Sequence, residues 1–378
     1  MEDDFARAMS LALQETRASN PMEATRIIQQ ALGGKAPTAP GVETSTPALT
    51  AGRSRIDPSA EEAEIVEDAP PRRRSFREVV DGLAKRPSGL DLRPLPAGRA
   101  PALPDGASFE RATHSAPHGT RDYRLYRPSP AAGPVRGVVM MLHGCTQSPE
   151  DFARGTAMNR QAEAHGLVVI YPEQPRSANQ NLCWNWFRPS DQTAASGEPA
   201  ILADLARTVA ARVGAPEGRV FVAGLSAGGA MAAILGRTHP QVFAAAGVHS
   251  GLAPGSASDM ISAFAAMRGD GSAPSGGPGL PIIVFHGGAD HTVASSNGRA
   301  VAGPISAPSS RTAEGPGRRA QVTTGTSPAG HPVELWEVEG GGHAWFGGDA
   351  GGSYTDPAGP DASAEMVRFF LAAGRPAP

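Results

Sequence analysis

The sequence of 378 residues predicts an α/β fold, a mostly parallel central sheet with helices on both faces, preceded by a helical hairpin and a linker. Two observations carry this. From about residue 120 onward, apolar strand-like runs alternate with helical stretches, the pattern of a sheet wound with crossover helices. Runs such as Val138-Val139-Met140-Met141-Leu142 are continuously apolar, as strands covered on both faces must be. Upstream such runs are scarce, so the composition predicts one large domain, 111–378, with an amino-terminal tail.

The tail opens with two short helical stripes. Phe5, Met9, Ala12 and Leu13 share one face; Asn20 and Pro21 supply a cap and first-turn signal; Ile27, Ile28, Ala31 and Leu32 form the second stripe, which Gly33-Gly34 ends. A helical hairpin over 1–34 is expected, too small to bury a core of its own, so residues 4–34 are a candidate surface for self-association or docking. Residues 35–110 are rich in Pro, Ala, Thr, Ser and charge, with one short helix from Phe76 to Leu83, and read as a largely disordered linker. Strands are then expected at Arg121–Tyr126, Val135–Leu142, Leu167–Tyr171, Arg219–Ala223, Ala244–Val248, Pro281–Phe285 and Val333–Val338, with helices at Asp151–His165 and Ala200–Val213. The Ser-, Gly-, Pro- and Arg-rich stretch Ala294–Gly330 reads as an inserted loop that shapes access to a site.

Charge and composition narrow the partners. A net charge of −3 gives no reason to expect nucleic acid, and Arg72-Arg73-Arg74 lies among prolines and serine, as in a solvated linker. No run of apolar residues is long enough to span a bilayer. The start, Met1-Glu2-Asp3-Asp4, is acidic and leads into no apolar core or cleavage site, so on sequence alone the chain reads as cytoplasmic.

Chemistry enters with Gly224-Leu225-Ser226-Ala227-Gly228. With 46 glycines in the chain the pentapeptide alone is weak. It gains force from the strand-like Arg219–Ala223 before it and the helical Gly229–Leu235 after it: a serine at such a strand–turn–helix tip has its hydroxyl lifted out as a nucleophile. A nucleophilic serine needs a base and an orienting carboxylate, which in an α/β-hydrolase fold follow in the order serine, acid, histidine. The strand Ile282–Phe285 leads to Asp290, and the strand Val333–Val338 leads through Glu339-Gly340-Gly341-Gly342 to His343. His286 and His291 compete for the base, but neither follows the acid by a full strand. The oxyanion amides would be Ala227, after the nucleophile, and Cys145, where the strand ending at Leu142 breaks into His143-Gly144. His143 and three loop tryptophans, Trp184, Trp186 and Trp345, are expected to face substrate. Cys145 and Cys183 could bridge or stay free; the absence of an export signal favours free thiols. This chemistry calls for no metal and no organic cofactor.

The segments Leu142–Gln147, Cys183-Trp184-Asn185-Trp186-Phe187, Gly224–Met231, His286-Gly287 with Asp290–Val293, and Gly342-His343-Ala344-Trp345 resemble the extracellular-type poly(3-hydroxybutyrate) depolymerases and, more distantly, feruloyl and acetylxylan esterases. The tail Gly359–Ser363 with Glu365-Met366 also fits, and the likeness runs over about residues 115–374. It implies an α/β-hydrolase fold, a Ser226, Asp290 and His343 triad, oxyanion amides at Cys145 and Ala227, a Cys145–Cys183 disulfide, secretion, and a hydroxyalkanoate polyester or oligoester substrate. Two rivals stand beside that expectation: a feruloyl or acetylxylan esterase, and a polymer-granule or partner-binding protein whose hydrolase fold is vestigial.

Overall fold

The structure, a computed structural model, describes residues 103–271 and 278–373; the expected hairpin, and the linker up to residue 102, lie outside them. The strands, in chain order, are β1 (Ser108–Ala116), β2 (Gly119–Arg127), β3 (Gly137–Leu142), β4 (Leu167–Pro172), β5 (Val220–Leu225), β6 (Ala245–His249), β7 (Ile282–Gly287), β8 (Ser306–Glu314), β9 (Arg319–Thr326), β10 (Pro332–Val338), β11 (Trp345–Phe346) and β12 (Thr355–Asp356). The helices are α1 (Pro149–Thr156), α2 (Met158–His165), α3 (Gly197–Val213), α4 (Ala227–Thr238), α5 (Met260–Met267), α6 (Ser296–Ala302) and α7 (Ala362–Ala373).

Strands β1 to β10 form one ten-stranded sheet in the order β1-β2-β4-β3-β5-β6-β7-β10-β9-β8. The inner strands β4, β3, β5, β6, β7 and β10 are parallel; the flanking pairs are antiparallel. This is the α/β-hydrolase fold. Side-chain alternation divides the core in two. Val138, Met140 and Leu142 pack with α3 and α4 residues such as Leu202 and Met231 on one face. Val139 and Met141 pack with Phe152, Met158 and Phe370 of α1, α2 and α7 on the other. Every side chain of β3 to β7 is therefore buried, which explains the unbroken apolar runs.

Three expectations change. The helix expected over Asp151–His165 is two helices, because Ala157 takes a left-handed conformation (φ 51°) and Thr156 Oγ1 bonds back to the Phe152 carbonyl at 2.8 Å. The Ala294–Gly330 stretch is not one loop: it contains α6 and the β8–β9 hairpin, which extends the sheet edge beside β10. Almost every β8 residue is exposed, so it carries no apolar alternation for a sequence reading to find. Strand β1 opens at Ser108, inside the stretch read as linker, and pairs with β2 along its full length.

Candidate active site

Because the inner strands are parallel, the ends of β3, β5, β7 and β10 deliver their following loops to one edge of the sheet. Ser226 follows β5 directly. From Val220 to Gly236 every residue is buried except Ser226. Its φ of 57° and ψ of −119° are strained for a residue with a side chain, and its amide donates to the His249 carbonyl at 2.9 Å. The glycines around it are dictated by contact. A Cβ on Gly228 would overlap the Leu142 and His143 carbonyls at the end of β3, and one on Gly224 would overlap the Gly228 backbone. Helix α4 thus starts against the neighbouring strand, which forces the sharp turn that projects the hydroxyl.

The loops after β7 and β10 bring Asp290 and His343 together. His343 Nδ1 donates to Asp290 Oδ2 at 2.7 Å, with the Asp290 side chain fully buried and that of His343 11% exposed. Asp290 Oδ1 accepts the amides of Thr292 and Val293, each at 2.9 Å. Burial pushes the Asp290 carboxyl up, but the His343 hydrogen bond, the His343 charge and the Val293 amide outweigh it, so it stays below its ordinary value and ionised. That hydrogen bond fixes the His343 tautomer and leaves Nε2 with a lone pair.

His286 and His291 are placed differently. His291 is exposed. His286 is buried at the end of β7, with Nε2 donating to the Val293 carbonyl at 2.9 Å and standing 3.5 Å from Asp290 Oδ2; burial lowers its pKa. His249, buried at the end of β6, accepts the Phe346 amide on Nε2 at 3.2 Å and stacks on Trp345 with ring centroids 5.0 Å apart. Burial holds it neutral. Through its carbonyl and its ring, His249 ties the nucleophile's turn to the loop of His343.

The proposed oxyanion donors lie at the junction of β3 and β5. A Cβ on Gly144 would stand 3.6 Å from Ser226 Cβ, so the loop after β3 borders Ser226. Among the described residues, no other group takes up the amide of Cys145 or of Ala227. Cys145 is disulfide-bonded to Cys183, with Cα atoms 4.2 Å apart; the free-thiol reading of the sequence is corrected here. Thr146 N–H donates to the Asn181 carbonyl at 2.8 Å beside the bridge.

The aromatic residues expected to face substrate are placed otherwise. Trp184 is fully buried and donates from Nε1 to the His143 carbonyl at 3.0 Å. Trp345 is 1% exposed and donates to Ser363 Oγ at 3.1 Å. Trp186 is buried edge-on against Phe187. His143 is buried, donating from Nδ1 to the Gly144 carbonyl at 2.8 Å and accepting the Gln174 amide on Nε2 at 3.2 Å; burial lowers its pKa to about 4. These side chains are buried behind the loops; for Trp184 and Trp345 the indole N–H finds a buried acceptor.

Supporting residues escaped the sequence reading. Gln147 accepts the Gly144 amide on Oε1 at 2.9 Å and donates from Nε2 to Asp151 Oδ2 at 3.0 Å. Glu198 at the start of α3 accepts the amide and side chain of Asn185, each at 2.8 Å, and the Gln174 side chain. Buried Arg121 lies 4.0 Å from Glu198 and 5.5 Å over the Trp184 ring. Burial raises the Glu198 pKa and lowers that of Arg121. This network holds the Cys183–Asn185 segment against the loop after β3. Arg121 lies in β2 and Glu198 in the first turn of α3, where a charged residue is ordinary, so neither position announces a buried network.

Known proteins similar to this chain are esterases. A family model described as Esterase PHB depolymerase matches residues 121–306, a span that holds Ser226, Asp290 and both cysteines and stops before His343. The chain is 32% identical to the poly(3-hydroxyalkanoate) depolymerase C of Paucimonas lemoignei over 189 residues, covering 46% of this chain and 45% of that protein. It is 29% identical to a probable acetylxylan esterase A of Neosartorya fischeri, over 50% of this chain and 56% of the other. The chain thus spans about half the length of the curated relatives it matches. The solved acetyl xylan esterase of Aspergillus awamori superposes with a TM-score of 0.50 at 22% identity, over 62% of this chain and 94% of that one, a likeness of fold. Over residues 121–306, just under half of its length, the chain is thus similar to the esterase PHB depolymerase family.

Proposed function

We propose that the protein is a serine esterase that hydrolyses short-chain hydroxyalkanoate esters, poly(3-hydroxybutyrate) or its oligomers, through an acyl-enzyme. The observation that carries this reading is the Asp290–His343 hydrogen bond of 2.7 Å, brought to the sheet edge at which Ser226 stands in its strained turn. Ser226 Oγ attacks the ester carbonyl while His343 Nε2 takes its proton, and Asp290 stabilises the imidazolium that forms. The Cys145 and Ala227 amides receive the oxyanion. His343 returns the proton to the departing hydroxyl of the alcohol unit; water, deprotonated by His343 in turn, then cleaves the acyl-enzyme. The depolymerase relative supports the hydroxyalkanoate acyl group.

The test is to incubate wild type and Ser226→Ala with amorphous poly(3-hydroxybutyrate) and measure released hydroxybutyrate by chromatography. Release by wild type alone is expected. A second reading, a carbohydrate acetyl esterase, draws on the acetylxylan esterase relative. Faster turnover of acetylated xylan than of hydroxybutyrate oligomers would favour that reading.

A further inference from the structure

Between β11 and β12 the chain runs through a glycine-rich loop, Gly347 to Tyr354, that the catalytic steps leave unused. Despite its glycines the loop is pinned. Ser353 N–H donates to Asp151 Oδ1 at 2.9 Å and its hydroxyl donates to Asp151 Oδ2. Gln147 Nε2 donates to the Ser353 carbonyl and hydroxyl, each at 3.1 Å. The same glutamine holds the oxyanion loop through Gly144, so the two loops share one anchor.

What this anchorage presents is Tyr354. It is 42% exposed, and its φ of 50° lies in the left-handed region that favours glycine. Such strain persists where surrounding contacts over-determine it, and it gathers at binding sites. The Tyr354 carbonyl accepts the Trp345 amide at 2.7 Å, in the loop of His343. Its phenol oxygen lies 3.4 Å from Thr146 Oγ1, beside Cys145. Tyr354 therefore joins the loop of the base to the oxyanion loop and leaves its ring open, whereas Trp184, Trp186 and Trp345 are buried.

We infer that Tyr354 is a specificity-determining residue that binds a second hydroxyacyl unit of the substrate. The phenol donates a hydrogen bond to the ester carbonyl next to the scissile one, and the ring covers the apolar stem of that unit. Thr146 Oγ1 donates to the Cys145 carbonyl at 2.6 Å, so the phenol is the donor across the 3.4 Å contact, a weak bond that it exchanges for a closer acceptor. This inference rests on the hydroxyalkanoate reading, in which successive ester carbonyls repeat along the chain; a lone sugar acetate offers no second one.

The experiment compares wild type, Tyr354→Phe and Tyr354→Gly. It takes kcat/KM on the methyl ester of a 3-hydroxybutyrate trimer and on 4-nitrophenyl acetate, which has no second unit. The trimer-to-acetate ratio is expected to fall about fivefold in Tyr354→Phe, for one lost hydrogen bond. It is expected to fall at least about tenfold in Tyr354→Gly, which also loses the ring, with the change mainly in KM. Glycine accepts the positive φ, so the second variant keeps the loop's backbone without strain. A ring with a purely structural role would lower both substrates together, and an unchanged ratio in both variants overturns the inference alone. A wild type that cleaves the acetate but not the trimer overturns the hydroxyalkanoate reading, and this inference with it.

Discussion

Removing the disulfide should damage catalysis as well as stability, for separable reasons. Cys145 and Cys183 are 38 positions apart. Closing a loop of that length withdraws about 13 cal/mol/K from the unfolded ensemble in the chain-entropy account, or about 4 kcal/mol at 25 °C. The double variant Cys145→Ala/Cys183→Ala, and wild type in reducing buffer, should each lose stability of that order in urea unfolding. Their fold should survive, since Trp184 still reaches the His143 carbonyl and Thr146 still reaches that of Asn181. The catalytic loss follows from position: the bridge pins the residue whose amide is proposed to meet the oxyanion. Complete loss of one such donor lowers kcat by about 100- to 1,000-fold, and a loosened donor should lose about tenfold, with little change in KM. Native circular dichroism, urea midpoints and kcat on a chromogenic butyrate ester measure the three quantities. A double variant within about 1 kcal/mol of wild type, or one with full kcat, would refute the reasoning.

Further outcomes follow from other contacts. Gly228→Ala places a Cβ against the fixed carbonyls at the end of β3; it should lower stability by about 1–3 kcal/mol and abolish most ester hydrolysis, and a variant with wild-type kcat contradicts the close-approach argument. Glu198→Ala strands the buried Arg121 guanidinium and should destabilise by about 3–5 kcal/mol, read from urea unfolding; a loss below about 1 kcal/mol would remove the network's assigned role. Acid should act through the buried histidines. His143 protonates near pH 4 when folded, against 6.5 for an ordinary histidine, so between those values the unfolded chain binds the extra proton and stability falls as pH drops. His143 alone amounts to about 2 kcal/mol by pH 5 and about 3 kcal/mol by pH 4. Burial lowers His249 and His286 as well, adding to the same direction, and a urea midpoint that stays flat from pH 7 to pH 5 would contradict it.

The inner sheet was legible because burial on both faces leaves no polar position in strands such as β3 and β5. Ser226 was legible because a sharp turn between strand and helix demands glycine where backbones meet, at Gly224 and Gly228. Other features depend on partners that sequence neighbours do not reveal. Ser353 meets Gln147 across 206 positions, and nothing in the local sequence around either announces the contact. Trp184 and Trp345 turn inward to the His143 carbonyl and Ser363 Oγ, acceptors that lie 41 and 18 positions away. Strand β8, polar and almost wholly exposed at the sheet edge, is held by its hairpin with β9 and carries no apolar signal.

The central claim is that Ser226 is the nucleophile activated by His343. Treating the protein with a fluorophosphonate, which phosphonylates activated serines, and weighing it intact tests this directly. The account predicts one adduct, mapped to Ser226 by peptide sequencing, absent from Ser226→Ala and slowed at least about 100-fold in His343→Ala. An adduct on another residue, or labelling of Ser226 at an unchanged rate without His343, would contradict it.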